Sequence, residues 1–202
     1  MNRHRNILHI IPLLVLVVSC GSGDSYTPKP SGYMRIDLPE HKYSLIDTFQ
    51  DKSCELYPVR FEASQYAEVS EKGAPHGQRW IDLKYREWDG VIFLTYKRLS
   101  KSSDLAAEVD TSYQLLSKHF RFASGVDEQQ YVDETNRVYA TTYSLQGQNV
   151  ASTYQFWATD SVHNFLRGAL YIDCVPNNDS LAPVLEYLQQ DIVHLIETLK
   201  WR

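Results

Sequence analysis

The sequence predicts an α+β fold, a twisted antiparallel sheet packed with two amphipathic helices. Two patterns carry this reading. Apolar and polar residues alternate at period two through "RWIDLKYREWDGVIFLTYKRL" (79–99) and through four further segments between Gln129 and Cys174. Between and after these stretches, apolar residues recur every three or four positions, the spacing of one helix face. Elements of this kind are stable only when each buries its apolar face on another, which gives a layered sandwich.

The elements follow in order along the chain. "GYMRIDLPE" (32–40) alternates Tyr33, Met34, Ile36 and Leu38 with charged residues and stops at Pro39, as a short edge strand does. "CELYPVRFEAS" (54–64) reads as a second strand, with Pro58 marking an edge or a bulge. In the 79–99 hairpin, Ile81, Leu83 and Tyr85 share one face, Asp89-Gly90 makes the turn, and Val91 to Leu99 return. Leu105, Val109, Tyr113, Leu116 and Phe120 then mark a helix with Asp104 at its N-terminal end. "QQYVDE", "RVYATTYSLQ", "NVASTYQFWATD" and "HNFLRGALYIDC" follow, separated by Thr135-Asn136, Gly147 and Asp160-Ser161, as an antiparallel meander. The chain closes on Leu181, Val184, Leu185, Leu188, Ile192, Leu195, Ile196 and Leu199, an apolar helical stripe with Asp179 or Ser180 as N-cap. This order resembles the Mog1/PsbP-type fold, an antiparallel sheet between helices. With 202 residues there is room for one domain with a substantial core.

The first 19 residues read as a signal peptide. Arg3 and Arg5 form a positive start, and Ile7 to Val18 run apolar except for His9 and Pro12. That stretch is shorter than the roughly 20 residues a membrane span needs. Val17, Val18 and Ser19 precede Cys20, and Gly21 follows, which resembles the lipobox of bacterial lipoproteins. The Cys20 sulfur then accepts diacylglycerol, and two or three acyl chains give stable anchoring. Residues 20–32 form a lipidated, polar Gly/Ser/Pro tether that reaches at most about 40 Å, and residues 33–202 form the domain. Little acid follows the cysteine beyond Asp24, which favours the periplasmic side over surface display.

The charge balance excludes one large class of partner. Twenty Lys+Arg stand against 25 Asp+Glu for a net −5, and loss of Arg3 and Arg5 takes this to −7. No basic face is available for nucleic acid. Fourteen Tyr and four Trp suit a β-rich exported domain.

Three groups of residues invite a chemical reading. Asp160, Ser161 and His163 have the composition of a triad, but adjacent residues in a tight turn do not aim at one another, so "DSVH" reads as a hairpin turn. Asp191, His194 and Glu197 lie three apart on a helix, a spacing compatible with metal ligation. They fall opposite the apolar stripe and read as its solvated face, so no metal site is expected. Cys54 and Cys174 form a candidate disulfide in an oxidising periplasm, worth about 4–5 kcal/mol for so long a loop, or else two separate buried thiols.

"YTPKPSGYMRIDLPE", "QFWATDSVHNFLRGALYIDC" and "PNNDSLAPVLEYLQQDIVHLIETLKW" together resemble the GldD family of gliding-motility lipoproteins of the Bacteroidota. The resemblance implies a lipid-anchored envelope component needed for movement over surfaces and linked to the type IX secretion machinery. It implies no enzymatic activity and no cofactor beyond the covalent lipid on Cys20. The expected location is the periplasmic face of the outer membrane, with the inner membrane as the alternative. Expected partners are the membrane and other gliding or type IX secretion proteins.

The leading functional reading is a non-enzymatic docking or assembly domain. If Leu166, Gly168, Leu170 and Ile172 face the core, then Phe165, Arg167 and Tyr171 line the other face of the strand as a candidate docking strip. The competing reading has a helix covering those side chains in a two-sided sandwich. Two other functions stay open: a lipid- or glycan-binding or chaperone module, which needs a deep apolar pocket, and an envelope hydrolase, which needs Asp160, Ser161 or His163 to converge in a cleft.

Overall fold

The computed structural model describes residues 36–47, 59–73, 78–174 and 177–201. The signal segment, Cys20, the tether and Cys54 lie outside these residues. The central layer is a seven-stranded, fully antiparallel sheet built from β3 (Glu68–Gly73), β4 (Gln78–Tyr85), β5 (Gly90–Arg98), β6 (Gly125–Asp133), β7 (Val138–Gln146), β8 (Tyr154–Thr159) and β9 (Asn164–Ile172), in the order β3-β4-β5-β9-β8-β7-β6. The hairpin and the meander thus join edge to edge, β5 pairing with β9. The β4–β5 turn is the expected one. A 3-10 turn over Arg86–Trp88 ends at Asp89, whose φ of 48° lets the chain reverse into Gly90.

Alternation puts Ile81, Leu83, Tyr85, Ile92, Leu94, Tyr96, Leu166, Leu170, Phe156 and Ala158 on one face, all buried. Helix α2 (Asn178–Thr198) packs onto this face through Val184, Leu188, Ile192, Leu195 and Ile196. A three-stranded sheet of β1 (Tyr43–Asp47), β2 (Val59–Ser64) and β10 (Lys200–Trp201), in the order β1-β2-β10, joins it, with Val59, Phe61 and Ala63 entering the same core. Helix α1 (Ser102–Ser117) packs on the opposite face against β8 and β9. There Leu116 meets Tyr143, Leu145 and Val150 in a second, smaller cluster.

Four local expectations are corrected. The strand expected over 32–40 is absent where the structure describes it. Residues 36–42 have no regular structure, and pairing begins only at Tyr43. The alternation of Ile36 and Leu38 reflects their packing against the core from an irregular segment, where Pro39 has no N–H to offer a ladder. Phe120 does not continue α1 but sits in a separate 3-10 turn, Phe120–Phe122, and still packs on the second cluster. The N-cap of α2 is Asn177, and Asp179 and Ser180 lie inside the first turn. Asn178 ties that turn to the β7–β8 loop by donating its amide to the carbonyls of Gly147 (2.6 Å) and Val150 (3.0 Å). Lastly, β3 extends the first hairpin with a strand that was not expected.

Asp104 acts where the sequence places it, accepting hydrogen bonds from the backbone N–H groups of Ser100 and Lys101 at the start of α1. Gly168 marks the tightest packing in the sheet. A Cβ there would stand 2.0 Å from the ring of Phe156, which is itself buried and cannot swing away. Gly168→Ala is therefore expected to destabilise the domain by about 1–3 kcal/mol through overpacking, read as a lower urea midpoint. An unchanged midpoint would show that the ring has room to move.

Candidate functional site

The most unusual group in the domain is Asp191, which is 3% exposed. The expectation that it lies on the wet face of its helix is overturned. A helical stripe accounts for a single wall, and α2 has two: the large sheet on one side, and β2 with the segment leading into β1 on the other. A buried carboxylate must have its lone pairs satisfied. Here Tyr85 donates its hydroxyl to Oδ2 at 2.9 Å, and His41 Nδ1 lies 2.7 Å from Oδ1. With a carboxylate as acceptor, Nδ1 carries the proton. His194 remains half-buried and bonds Glu62 at 2.7 Å, while Glu197 is exposed.

Aromatic rings fill the space around these bonds. His41 stacks on Tyr187 with 4.0 Å between centroids, Tyr43 stacks on His194 at 3.6 Å, and Trp88 meets Tyr187 edge-on. Burial, and after it the charge of Asp191, pushes the phenol pKa of Tyr187 up to about 12 and those of Tyr85 and Tyr43 higher still. All three remain protonated across the physiological range. The arrangement has the parts of an acid–base relay. Yet the clefts along α2 are lined by Tyr43, His194, Glu186 and Glu197, and not by Asp191, His41 or Tyr85. These bonds join the start of the described chain to its last helix. Among the described residues, no group of three His, Cys, Asp or Glu side chains comes together to hold a metal.

"DSVH" folds as the turn that its residue types suggest. Asp160 Oδ1 accepts the backbone N–H groups of Val162, His163 and Asn164 at 2.7–2.9 Å, and Oδ2 accepts the Asn164 amide at 2.7 Å. Ser161 adopts a positive φ of 68°. The carboxylate is occupied by backbone, and the Ser161 and His163 side chains are not among its partners. Burial alone would raise the Asp160 pKa, but the N–H donors of Asn164, Val162 and His163 outweigh it and hold the carboxyl below its ordinary value.

The candidate docking strip divides. Phe165 is 2% exposed and stacks on Trp157 on the face that α1 covers. Arg167 is half-buried and donates to Gln155 Oε1 at 2.8 Å. Tyr171 is half-buried against Phe93, with its hydroxyl 3.4 Å from His119 Nε2. Sequence parity places all three on the face away from the main core, but only the position of α1 separates the buried Phe165 from the other two. Trp80 and Phe93, each 42% exposed, share that face and were missed. Their alternation within the hairpin was the signal that could have found them. Cys174 is an exposed thiol just after β9, and Cys54 lies outside the described residues.

Fold and polar residues together define a class: an α+β domain whose buried carboxylates secure its own turns and its leading segment. Residues 23–201 match the family model of the gliding motility lipoprotein GldD. The chain belongs to that family, which makes it an envelope-associated lipoprotein of gliding motility. No curated protein and no solved structure matches it. Among the described residues no helix is long and apolar enough to cross a membrane.

The Asp160 turn carries a pH signature with a definite sign. Because the native pKa is depressed, the stabilisation is present above the ordinary carboxylate range and is lost as pH falls through the native value. Asp160→Asn is expected to lower stability by about 1–3 kcal/mol near pH 7. In urea titrations the gap to the unsubstituted chain should close below about pH 4; a gap constant with pH would contradict this.

Proposed function

We propose that the protein is a non-enzymatic docking or assembly component of the gliding apparatus, held by lipid on Cys20 at the periplasmic face of the outer membrane and linked to type IX secretion proteins. Family membership supports the motility setting. The observation that carries the docking role is the sheet face beside α1, where Trp80 and Phe93 stand exposed next to Arg167 and Tyr171. Aromatic residues and Arg are the side chains that dominate interface energies. The buried carboxylates support the same reading, since Asp160 and Asp191 are occupied by structural bonds.

The alternative, a module for small lipids or glycans, has less behind it. One gap between α2 and the sheet, lined by Leu170, Ile172, Leu181 and Leu185, measures about 10 Å³, enough for one water at most; another, lined by Tyr131, Tyr154, Val193 and Ile196 together with Gln129, Gln130 and Glu197, measures about 220 Å³, below the roughly 300 Å³ at which ligand pockets begin. The larger clefts, near 400 Å³, are open and lined mainly by polar residues such as Glu186 and Gln189.

Cys20→Ser in a gliding host is expected to move the protein from the membrane pellet to the soluble fraction and to abolish surface spreading. Retention in the pellet would overturn the lipid anchor. Release with spreading intact would overturn a role at the membrane.

A further inference from the structure

Among the described residues Arg167 is a cation with no carboxylate bonded to it. Its guanidinium projects from β9 into the face that α1 partly covers, where burial pulls its pKa down from the usual value. Its hydrogen bond goes to a neutral acceptor, Gln155 Oε1. A guanidinium has five N–H donors in a planar fork, and taking it out of water is costly unless a counter-charge meets it. On this face Glu108 of α1 is bonded to Lys97, and Asp82 stands two strands away in the row of Phe93 and Ala169.

The neighbours of Arg167 add donors and no negative charge. Gln155 is 3% exposed, and among the described residues its buried amide nitrogen has no acceptor; the indole of Trp157 is directed at the Tyr143 hydroxyl. Gln155 and Trp157 lie on β8 beside Arg167, Trp157 directly opposite it in register. His119 is held neutral by burial and by Arg167 and Lys118. A surplus of buried donors around an unpaired guanidinium fits an oxyanion.

The surroundings narrow the kind of oxyanion. Trp80, Thr95 and Arg167 form one row across β4, β5 and β9, so Trp80 stands about 10 Å from Arg167 at two strand spacings. Phe93 stands in the next row on that face, and Tyr171, one row further, meets it edge-to-face at 5.8 Å. A free inorganic ion would leave these rings unused. We propose that this face binds an acidic side chain of a partner protein, its carboxylate on Arg167 and an adjacent apolar side chain on Trp80, Phe93 and Tyr171. The proposal rests on the docking reading and gives it a recognition chemistry.

The test uses the full mature lipoprotein in detergent, with tryptophan fluorescence as readout and three probes: acetyl-Phe-Glu-amide, acetyl-Phe-Gln-amide and inorganic phosphate. The Glu peptide is expected to saturate, and the Gln peptide to bind at least about tenfold more weakly, for loss of a charge-assisted pair. Arg167→Gln should remove that difference. Phe93→Ala, at an exposed position that leaves the core intact, should weaken the Glu peptide severalfold even if Arg167→Gln fails to fold. Equal binding of both peptides overturns the site, as does saturation by phosphate at the same concentration as the Glu peptide. In cells, an unchanged pattern of crosslinked neighbours in a folded Arg167→Gln strain overturns this site and leaves docking standing. Absence of any envelope neighbour for the unsubstituted protein overturns docking itself.

Discussion

A carboxylate buried as deeply as Asp191 must find donors for its oxygens, and both of its donors come from far along the chain. Tyr85 is 106 positions away and His41 is 150. The Tyr85 bond needs the large sheet and α2 in place, and the His41 bond needs the leading segment docked on α2. Breaking one leaves an uncompensated polar group in the core, which makes the pairing an all-or-none lock. The small sheet grows from it: His41 on Asp191 sets the entry of β1, Tyr43 stacks on His194, and β1 pairs with β2 along five residues. The far end of α2 is fastened to the same strand, where Thr198 Oγ1 accepts the backbone N–H of Glu62 at 2.9 Å and Lys200 pairs with Arg60. The first described segment of the chain is thereby held to the last helix of the domain.

The two faces of the large sheet are covered unequally, and the geometry explains why. Seven strands at about 4.8 Å make a sheet about 30 Å across, while a helix with its side chains is only about 10–12 Å wide. On the core face, α2 and the small sheet share the work. On the other face, among the described residues, α1 and the 3-10 turn after it lie over β7 to β9, with Lys97 and Glu108 fixing one side of the helix. Phe165 therefore disappears beneath it, and Trp80 and Phe93 do not. Exposed aromatics beside a half-buried arginine follow from a helix too narrow for its sheet.

The parts of the fold that were legible in the sequence are those with a half-buried period. The 79–99 hairpin, the four-strand meander and both amphipathic helices repeat their pattern over enough residues to be read, and turn chemistry identified Asp160 and Asp89. The small sheet was hidden because β10 has two residues, too few for any period. β3 is a polar edge strand, "EVSEKG", with no core face to announce it. Asp191 was misread because periodicity along a helix shows one apolar wall and cannot show a second wall supplied by β2 and the segment that carries His41. Strand parity gave the face of Phe165, Arg167 and Tyr171, but the burial of Phe165 depends on where α1 lies.

Asp191 locks the leading segment to α2 through His41. Hydrogen exchange with Asp191→Asn tests this directly, because the substitution keeps the volume and removes the charge that both donors satisfy. The expected result is faster exchange confined to residues 43–47 and their partners 60–64, with the β5–β9 ladder at the centre of the large sheet as slow as before. Exchange accelerated equally in both sheets, or in neither, would contradict the account.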